Sequence, residues 1–344
     1  MKIKKTIISS HLEDYEIRKD IIQSYKMKSG DYAIFEVIEI GRHENVQMAD
    51  GRNRIILPGD MLLATFGDRY ATSQYEGYVP EKFQEELHIL GAGGIIGIVH
   101  TKNAVLKDIE PTKVRLIGYC CDEDGNVINS KFLGKYRSKF TGIKKPKVVL
   151  SIGSTMDSGK TTTAAFTARG LVVCGYRVGF IKLTGTCYTK DRELVYDCGA
   201  LVVKDFSDMG FPSTFLCSKD EILDIYQSLL DSLEYLDLDF VVMEIADGIL
   251  QRETKFLLQD ISFMKTIDKV VFSSSDSLSA FHGIKLLNDW GINVDFLGGK
   301  MTMSPLLIKE IEQFSSTPIF TIQELMTGNA NVLLGARDSH ASGI

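Results

Sequence analysis

The stretch VVLSIGSTMDSGKTTTAAF, Val148–Phe166, constrains this chain more than any other. A run of aliphatic residues enters a loop of small residues, and Gly159-Lys160-Thr161-Thr162 opens an alanine-rich segment. A buried strand, a short loop and a helix in that order place the helix's unpaired N–H groups and the positive end of its dipole at the loop. Phosphate oxygens fit such a place. Gly159 would let the backbone approach them closely. Lys160 would neutralise β- and γ-phosphates, and the Thr161 hydroxyl would reach Mg2+. The usual spacing puts the opening glycine at residue 154, which is Ser154; the glycine is Gly153, one place earlier. The nucleotide-binding residues are read as Gly153, Ser154, Thr155, Met156, Asp157, Ser158, Gly159, Lys160, Thr161 and Thr162, with ATP or GTP and Mg2+ as the expected ligands.

The sequence around the loop alternates strand and helix. Strand patterns are KVVLSIG, RVGFIKL, ALVVKDF, DFVVMEIA, KVVFSSS, VDFLGGK and PIFTI; helical patterns are TTTAAFTARGLVVCG, KDEILDIYQSLLDSLEYL, SLSAFHGIKLLNDWG and PLLIKEIEQFSS. Continuously apolar strands are expected where helices cover both faces of a sheet, and the alternation predicts a mostly parallel sheet flanked by helices. Ligands of such sheets bind at the carboxyl ends of the strands, where the Gly153–Thr162 loop falls.

Before residue 140 the pattern differs. Short runs such as DYAIFEVIEIG, RIILPGDMLLATFG, GGIIGIVHT and KVRLIGYCCDEDGNVI are punctuated by turn signals and predict a compact β-rich unit, with one helix around EKFQEELHIL. A length of 344 residues accommodates two domains. The expected organisation is a smaller β-rich N-terminal domain at 1–140, a basic linker at 141–146, an α/β domain at 147–332 and a tail at 333–344.

Hydrophobic content of 44% and charged content of 24% are those of a water-soluble globular chain. A net charge of −6 argues against a general nucleic-acid binder. The lysine- and arginine-rich run at 131–147 is the exception and reads as a solvated linker between domains, or else as a surface that attracts a phosphorylated or acidic partner. No signal peptide or membrane span is expected, so neither nucleic acid nor membrane is an expected partner and the expected location is cytoplasmic. The six cysteines show no metal-ligand spacing and read as free thiols.

Outside the loop, Glu244 ends an apolar strand, and a carboxylate there is costly to bury unless it is paired or faces an ion. It reads as a Mg2+ ligand. Asp205 is a second strand-end acid that would complete the metal sphere with Thr161 and Glu244; Asp197 is the alternative. Lys182 ends RVGFI, where it would hold a substrate carboxylate or phosphate, and Lys160, Lys182 and Glu244 are the expected catalytic groups. Asp247 would assist the metal, orient water or face the substrate, or else build a turn beside Gly248. Asp157 faces a substrate amine or metal, or caps the helix. Ser273, Ser274 and Ser275 fall near the expected base pocket. His282 reads as packed or surface. Arg69 and Tyr70, flanked by turns, are candidates to touch a ligand or the other domain. LGAGGIIGIVH reads as the start of a strand.

The spacing G-x-x-x-x-x-G-K-T resembles the loop of dethiobiotin synthetase, and that of the D-glutamate N-acetyltransferase family, both of the P-loop NTPase class that includes the signal-recognition and MinD-type proteins. VGFIKLTGT is similar to the synthetase segment GYxKPxxxG, which implies Lys182 as a substrate-binding lysine and adds Thr184 and Gly185 to the substrate side. DFVVMEIADG is similar to DxxxVEGAGG, with Glu244 at the acid associated with Mg2+ and nucleotide. ALVVKDFSDMG is similar to AVVxDFxxGA of the acetyltransferase-type family. SLSAFHGIKLLNDWGINVDFLGGK has the shape of NHTLLTxEALRxRGLxVxGxxxN. The resemblance runs in order over 147–325. It departs at Leu183, where the synthetase has proline, at Ile245-Ala246-Asp247-Gly248, where it has G-A-G-G, and at Gly298-Gly299-Lys300, where it has an adenine-recognising Asn.

The resemblance implies an ATP- or GTP-dependent ligase- or kinase-like enzyme acting on a small carboxylate- or amine-bearing metabolite, with Lys182 as anchor. Two other readings stay open. One is a nucleotide-dependent regulatory or assembly switch, with KDFSDMGFPST as its sensing loop. The other is a coenzyme A-dependent acyltransferase that uses the loop as a phosphate cradle without Mg2+. Members of this class often place the active site at a two-fold interface, which is compatible with a homodimer.

Overall fold

The computed structural model describes residues 2–133, 138–329 and 335. It divides into two compact units. The first comprises the described residues up to 133 together with Thr186–Thr189 and Phe206–Leu216; the second comprises the rest. Two short segments of the α/β half thus belong to the β-rich unit. Most of the expected tail at 333–344 lies outside the described residues.

The first unit contains strands β1 (Ile3–Lys5), β2 (Glu16–Arg18), β3 (Tyr32–Glu39), β4 (Asn45–Gln47), β5 (Asn53–Ile55), β6 (Met61–Phe66), β7 (Arg69–Tyr70), β8 (Tyr75–Tyr78), β9 (Leu87–Gly91), β10 (Ile95–Lys102) and β11 (Lys113–Cys121), followed by a short helix α1 (Ser130–Leu133). The main sheet runs β1-β6-β3-β11-β9-β10-β8-β7. A further parallel pairing of β10 with β6, at Ile95–Thr65 and Ile96–Phe66, closes the β6-β3-β11-β9-β10 segment on itself. A barrel this small is filled by its own side chains. Phe35, Phe66, Leu62, Ile96 and Val114 fill it, with the Phe35 and Phe66 rings edge to face at 5.2 Å. The helix expected around EKFQEELHIL is absent: residues 81–86 form bends and Leu87–Gly91 is strand β9. The helical spacing of Phe83, Leu87 and Leu90 is overridden by ladder pairing of β9 with β10 and β11. LGAGGIIGIVH spans the tight turn between β9 and β10.

The second unit contains β12 (Lys147–Gly153), α2 (Lys160–Val173), β13 (Val178–Lys182), α3 (Lys190–Asp197), β14 (Val202–Asp205), α4 (Lys219–Asp231), β15 (Phe240–Glu244), α5 (Arg252–Leu258), α6 (Ile261–Met264), β16 (Lys269–Ser273), α7 (Ser277–Asp289), β17 (Phe296–Gly298), α8 (Pro305–Glu312) and α9 (Ile322–Met326). Its six strands are all parallel in the order β14-β13-β15-β12-β16-β17. The protein is thus α/β, with a parallel sheet flanked by helices. Strands β13 and β15 are buried at every position, which is why they read as unbroken apolar runs. Val149, Phe180, Val242, Val271 and Phe296 of the sheet pack with Ala164, Ala165, Ala168 and Leu171 of α2. PIFTI makes only an isolated bridge, Leu297 with Ile319. The stretch 138–143 is tied to α4: the Ser138 and Phe140 N–H groups donate to Ser228 Oγ and Asp224 Oδ1, each at 2.9 Å.

Candidate functional site

The loop after β12 lies at the carboxyl end of the sheet, between the ends of β15 and β16. Backbone hydrogen bonds hold it from both sides. Ile249 N–H donates to the Gly153 carbonyl at 3.0 Å, Ser154 N–H to the Ser273 carbonyl at 2.9 Å, and Lys300 N–H to the Ser158 carbonyl at 2.9 Å. The displaced glycine has a steric reason. A Cβ on Gly153 would stand 2.1 Å from Ser158 Oγ and 2.6 Å from Lys160 Cγ. Gly159 caps α2 with φ of 98°, and a Cβ there would meet Gly299 Cα at 3.0 Å. The Gly299-Lys300 segment therefore packs against this loop.

Lys160 is buried at the start of α2, and its ammonium donates to the Thr155 carbonyl at 2.7 Å and the Met156 carbonyl at 3.1 Å. Burial lowers its pKa, while Glu244 and Asp247 oppose that shift. Thr161 Oγ1 donates to Glu244 Oε1 at 3.1 Å. Glu244 is 2% exposed, and its Oε2 has no hydrogen-bond partner among the described residues. Burial raises its pKa; Lys182 and Lys160 pull it back. Lys182 Nζ lies 3.9 Å from Glu244 Oε1 and is ion-paired with Asp191. Burial disfavours its charge, but Glu244, Asp191 and Asp205 outweigh it and raise the pKa.

Strand register explains why these groups meet. Lys182 on β13 is level with Glu244 on β15 and with Asp205 on β14, and Glu244 is level with Ser151 on β12. The strands end together, so their terminal charged residues form a row. Asp205 sits on the far side of Lys182 from Glu244, and Arg192 Nη1 lies 3.2 Å from its carboxylate. The structure brings Thr161 and Glu244 together and gives Asp205 a cationic partner. Asp197 ends α3, outside the row of strand termini.

Thr184 is buried and its Oγ1 accepts from the Ala246 N–H at 2.9 Å, joining the segment after β13 to the one after β15; Gly185 follows it. Asp247 adopts a left-handed backbone with φ of 61°, an uncommon conformation for a non-glycine residue. The Gly248 beside it is in close packing, since a Cβ would meet the Ser154 carbonyl oxygen at 2.5 Å. Asp157 is exposed on the loop, Thr162 lies in the first turn of α2 and His282 is exposed on α7. Ser273 Oγ donates to Thr163 Oγ1 at 3.0 Å, and Ser274 hydrogen-bonds within the start of α7. The sequence marks Asp191 and Arg192 only as a charged pair opening a helix just after a strand-end lysine.

A β-strand, a glycine-bounded loop, a lysine at a helix mouth and a strand-end acid on the adjacent strand form the arrangement of a phosphate-binding loop in a parallel α/β sheet. No family model matches the chain, and no curated protein does. Solved structures similar to it include the signal recognition particle receptor FtsY of Elizabethkingia anophelis in complex with GDP, at 15% identity over 61% of this chain and 60% of that one, with a TM-score of 0.34. Others are the hydrogenase maturation factor HypB of Archaeoglobus fulgidus (13%, 55% and 90%, 0.37) and the 54 kDa signal recognition particle protein of Aeropyrum pernix K1 in complex with GDP (18%, 60% and 53%, 0.36). The chain spans about three fifths of the FtsY structure and about half of the 54 kDa protein. Among the described residues no helix is long and apolar enough to cross a membrane.

Proposed function

We propose that the second unit binds a nucleoside triphosphate at Gly153–Thr162 and transfers its γ-phosphoryl group to a small carboxylate- or amine-bearing metabolite. The observation that carries this reading is Glu244, a buried carboxylate with one oxygen held by Thr161 and the other unpartnered. A buried, unsatisfied carboxylate oxygen beside a hydroxyl is a hard-oxygen donor set that suits Mg2+. Thr161 and Glu244 would hold that ion, which when bound would supply charge neutralisation at the β- and γ-phosphates.

The remaining work falls to the chain. Lys160 would exchange the Thr155 and Met156 carbonyls for phosphate oxygens, a move that needs only its side chain. The N–H groups at the start of α2 would receive the same oxygens. Lys182, fixed between Asp191 and Glu244 at the strand ends, would anchor the acceptor and keep it in line with the phosphoryl group. Such catalysis is mostly positioning and charge stabilisation. The unpaired Glu244 oxygen favours this over a metal-free coenzyme A cradle, which has no use for an acid there.

Nucleoside diphosphate formation by wild type and Glu244→Gln tests the reading. The variant should keep nucleotide affinity within a few-fold and lose turnover by roughly a hundredfold, the scale of one electrostatic contact to the transferring group. Equal turnover would take Glu244 out of the chemistry.

A further inference from the structure

The first unit holds a cavity of about 410 Å3 lined by residues of that unit alone. The volume is that of a small-molecule site. Three side chains give it a chemical character. His43 is buried, its ring 6.0 Å from that of Tyr75, and its Nδ1 has no hydrogen-bond partner among the described residues. Arg69 is buried too. Its guanidinium donates to the Leu90 carbonyl and, at 2.8 Å, to Gln74 Oε1, which fix the fork in one orientation at the cavity wall. Arg42 stands exposed at the rim.

These groups act on one another. Burial, then Arg69 and Arg42, hold the His43 pKa down at about 3, so the ring is neutral at ordinary pH. The neutral ring leaves Nδ1 without a hydrogen-bond partner among the described residues. A buried polar atom without a partner costs free energy unless a ligand supplies one. The cavity thus offers two cations and one unpartnered ring nitrogen, while the exposed carboxylate of Glu44 in its lining disfavours a ligand with several acidic groups.

We propose that this cavity binds a small molecule with one acidic group: its carboxylate or phosphate lies against Arg69 and Arg42, and a hydroxyl of the same molecule hydrogen-bonds to His43 Nδ1. Guanidinium forks match either acidic group. The site is independent of the nucleotide loop and stands whether or not that loop binds a triphosphate.

Lactate and glycerol 3-phosphate each pair one acidic group with a hydroxyl, and serve as probes in calorimetric titrations of the full chain. A Lys160→Ala background weakens competing anion binding at the Gly153–Thr162 loop. One probe should bind saturably, and which one it is decides between carboxylate and phosphate. Adding Arg42→Gln, an exposed change that leaves the barrel core untouched, should weaken binding on the order of ten- to a hundredfold, the weight of a hydrogen bond to a charged group; His43→Phe should weaken it as well. No saturable binding of either probe, or affinity unchanged by Arg42→Gln, would overturn the proposal.

Discussion

Thr161 and Glu244, 83 residues apart, are joined by a 3.1 Å hydrogen bond between the first turn of α2 and the last residue of β15. The parallel register of β12 with β15 brings the two elements side by side, ending with Ser151 level with Glu244. The bond leaves the second carboxylate oxygen without a partner among the described residues, inside a row of charges that includes Lys160 and Lys182. A polar group left in that state costs stability unless a ligand completes it.

Asp205 provides the contrast. Its buried carboxylate lies 3.2 Å from Arg192, so its replacement should read as a structural loss. Asp205→Asn should destabilise the chain by about 3–5 kcal/mol, the cost of breaking a buried ion pair, with the magnesium dependence of nucleotide binding retained. Urea unfolding and a magnesium titration measure the two effects. Loss of the magnesium dependence with stability intact would instead make Asp205 a ligand.

Gly159 is constrained twice, by a φ of 98° and by the closeness of Gly299. Gly159→Ala should cost about 1–3 kcal/mol through the left-handed backbone alone. It should also push the Gly299 segment off the loop and weaken nucleotide binding. Thermal unfolding and affinity should move together; an alanine variant with wild-type values of both would show that the loop relaxes freely.

How much of this was readable in advance depends on the kind of signal. The phosphate loop, the flanking strand and helix, and the strand-end residues Lys182 and Glu244 are local patterns, and a parallel sheet follows from their alternation. Asp191 and Arg192 gain their roles only when α3 folds back over the strand ends, which no spacing encodes. The strand at Leu87–Gly91 was hidden because Phe83, Leu87 and Leu90 also fit a helical face; long-range pairing with β10 and β11 decided it. Likewise the pairing of β10 with β6 that closes the barrel joins distant residues and leaves no periodic trace.

His43 gives the first unit a pH signature. In the unfolded chain it titrates near 6.5 and in the folded unit near 3. Below pH 6.5 the unfolded state therefore takes up a proton that the folded state refuses. Stability present above pH 6.5 is lost as the pH falls toward 3, by up to about 1.4 kcal/mol per pH unit. His43→Gln should flatten that acid limb, as followed by chemical unfolding between pH 7 and pH 4. A slope identical to wild type would mean that His43 protonates freely in the folded protein.

We infer that Lys160 and its loop hold a triphosphate together with magnesium. Calorimetric titration of ATP, GTP and coenzyme A, each with and without Mg2+, into wild type and Lys160→Ala tests it most directly. Magnesium-dependent binding of one triphosphate is predicted, weakened on the order of a hundredfold or more in the variant as a charge-assisted contact is lost. Triphosphate affinity unchanged in Lys160→Ala, or binding of coenzyme A alone and indifferent to Mg2+, would contradict it.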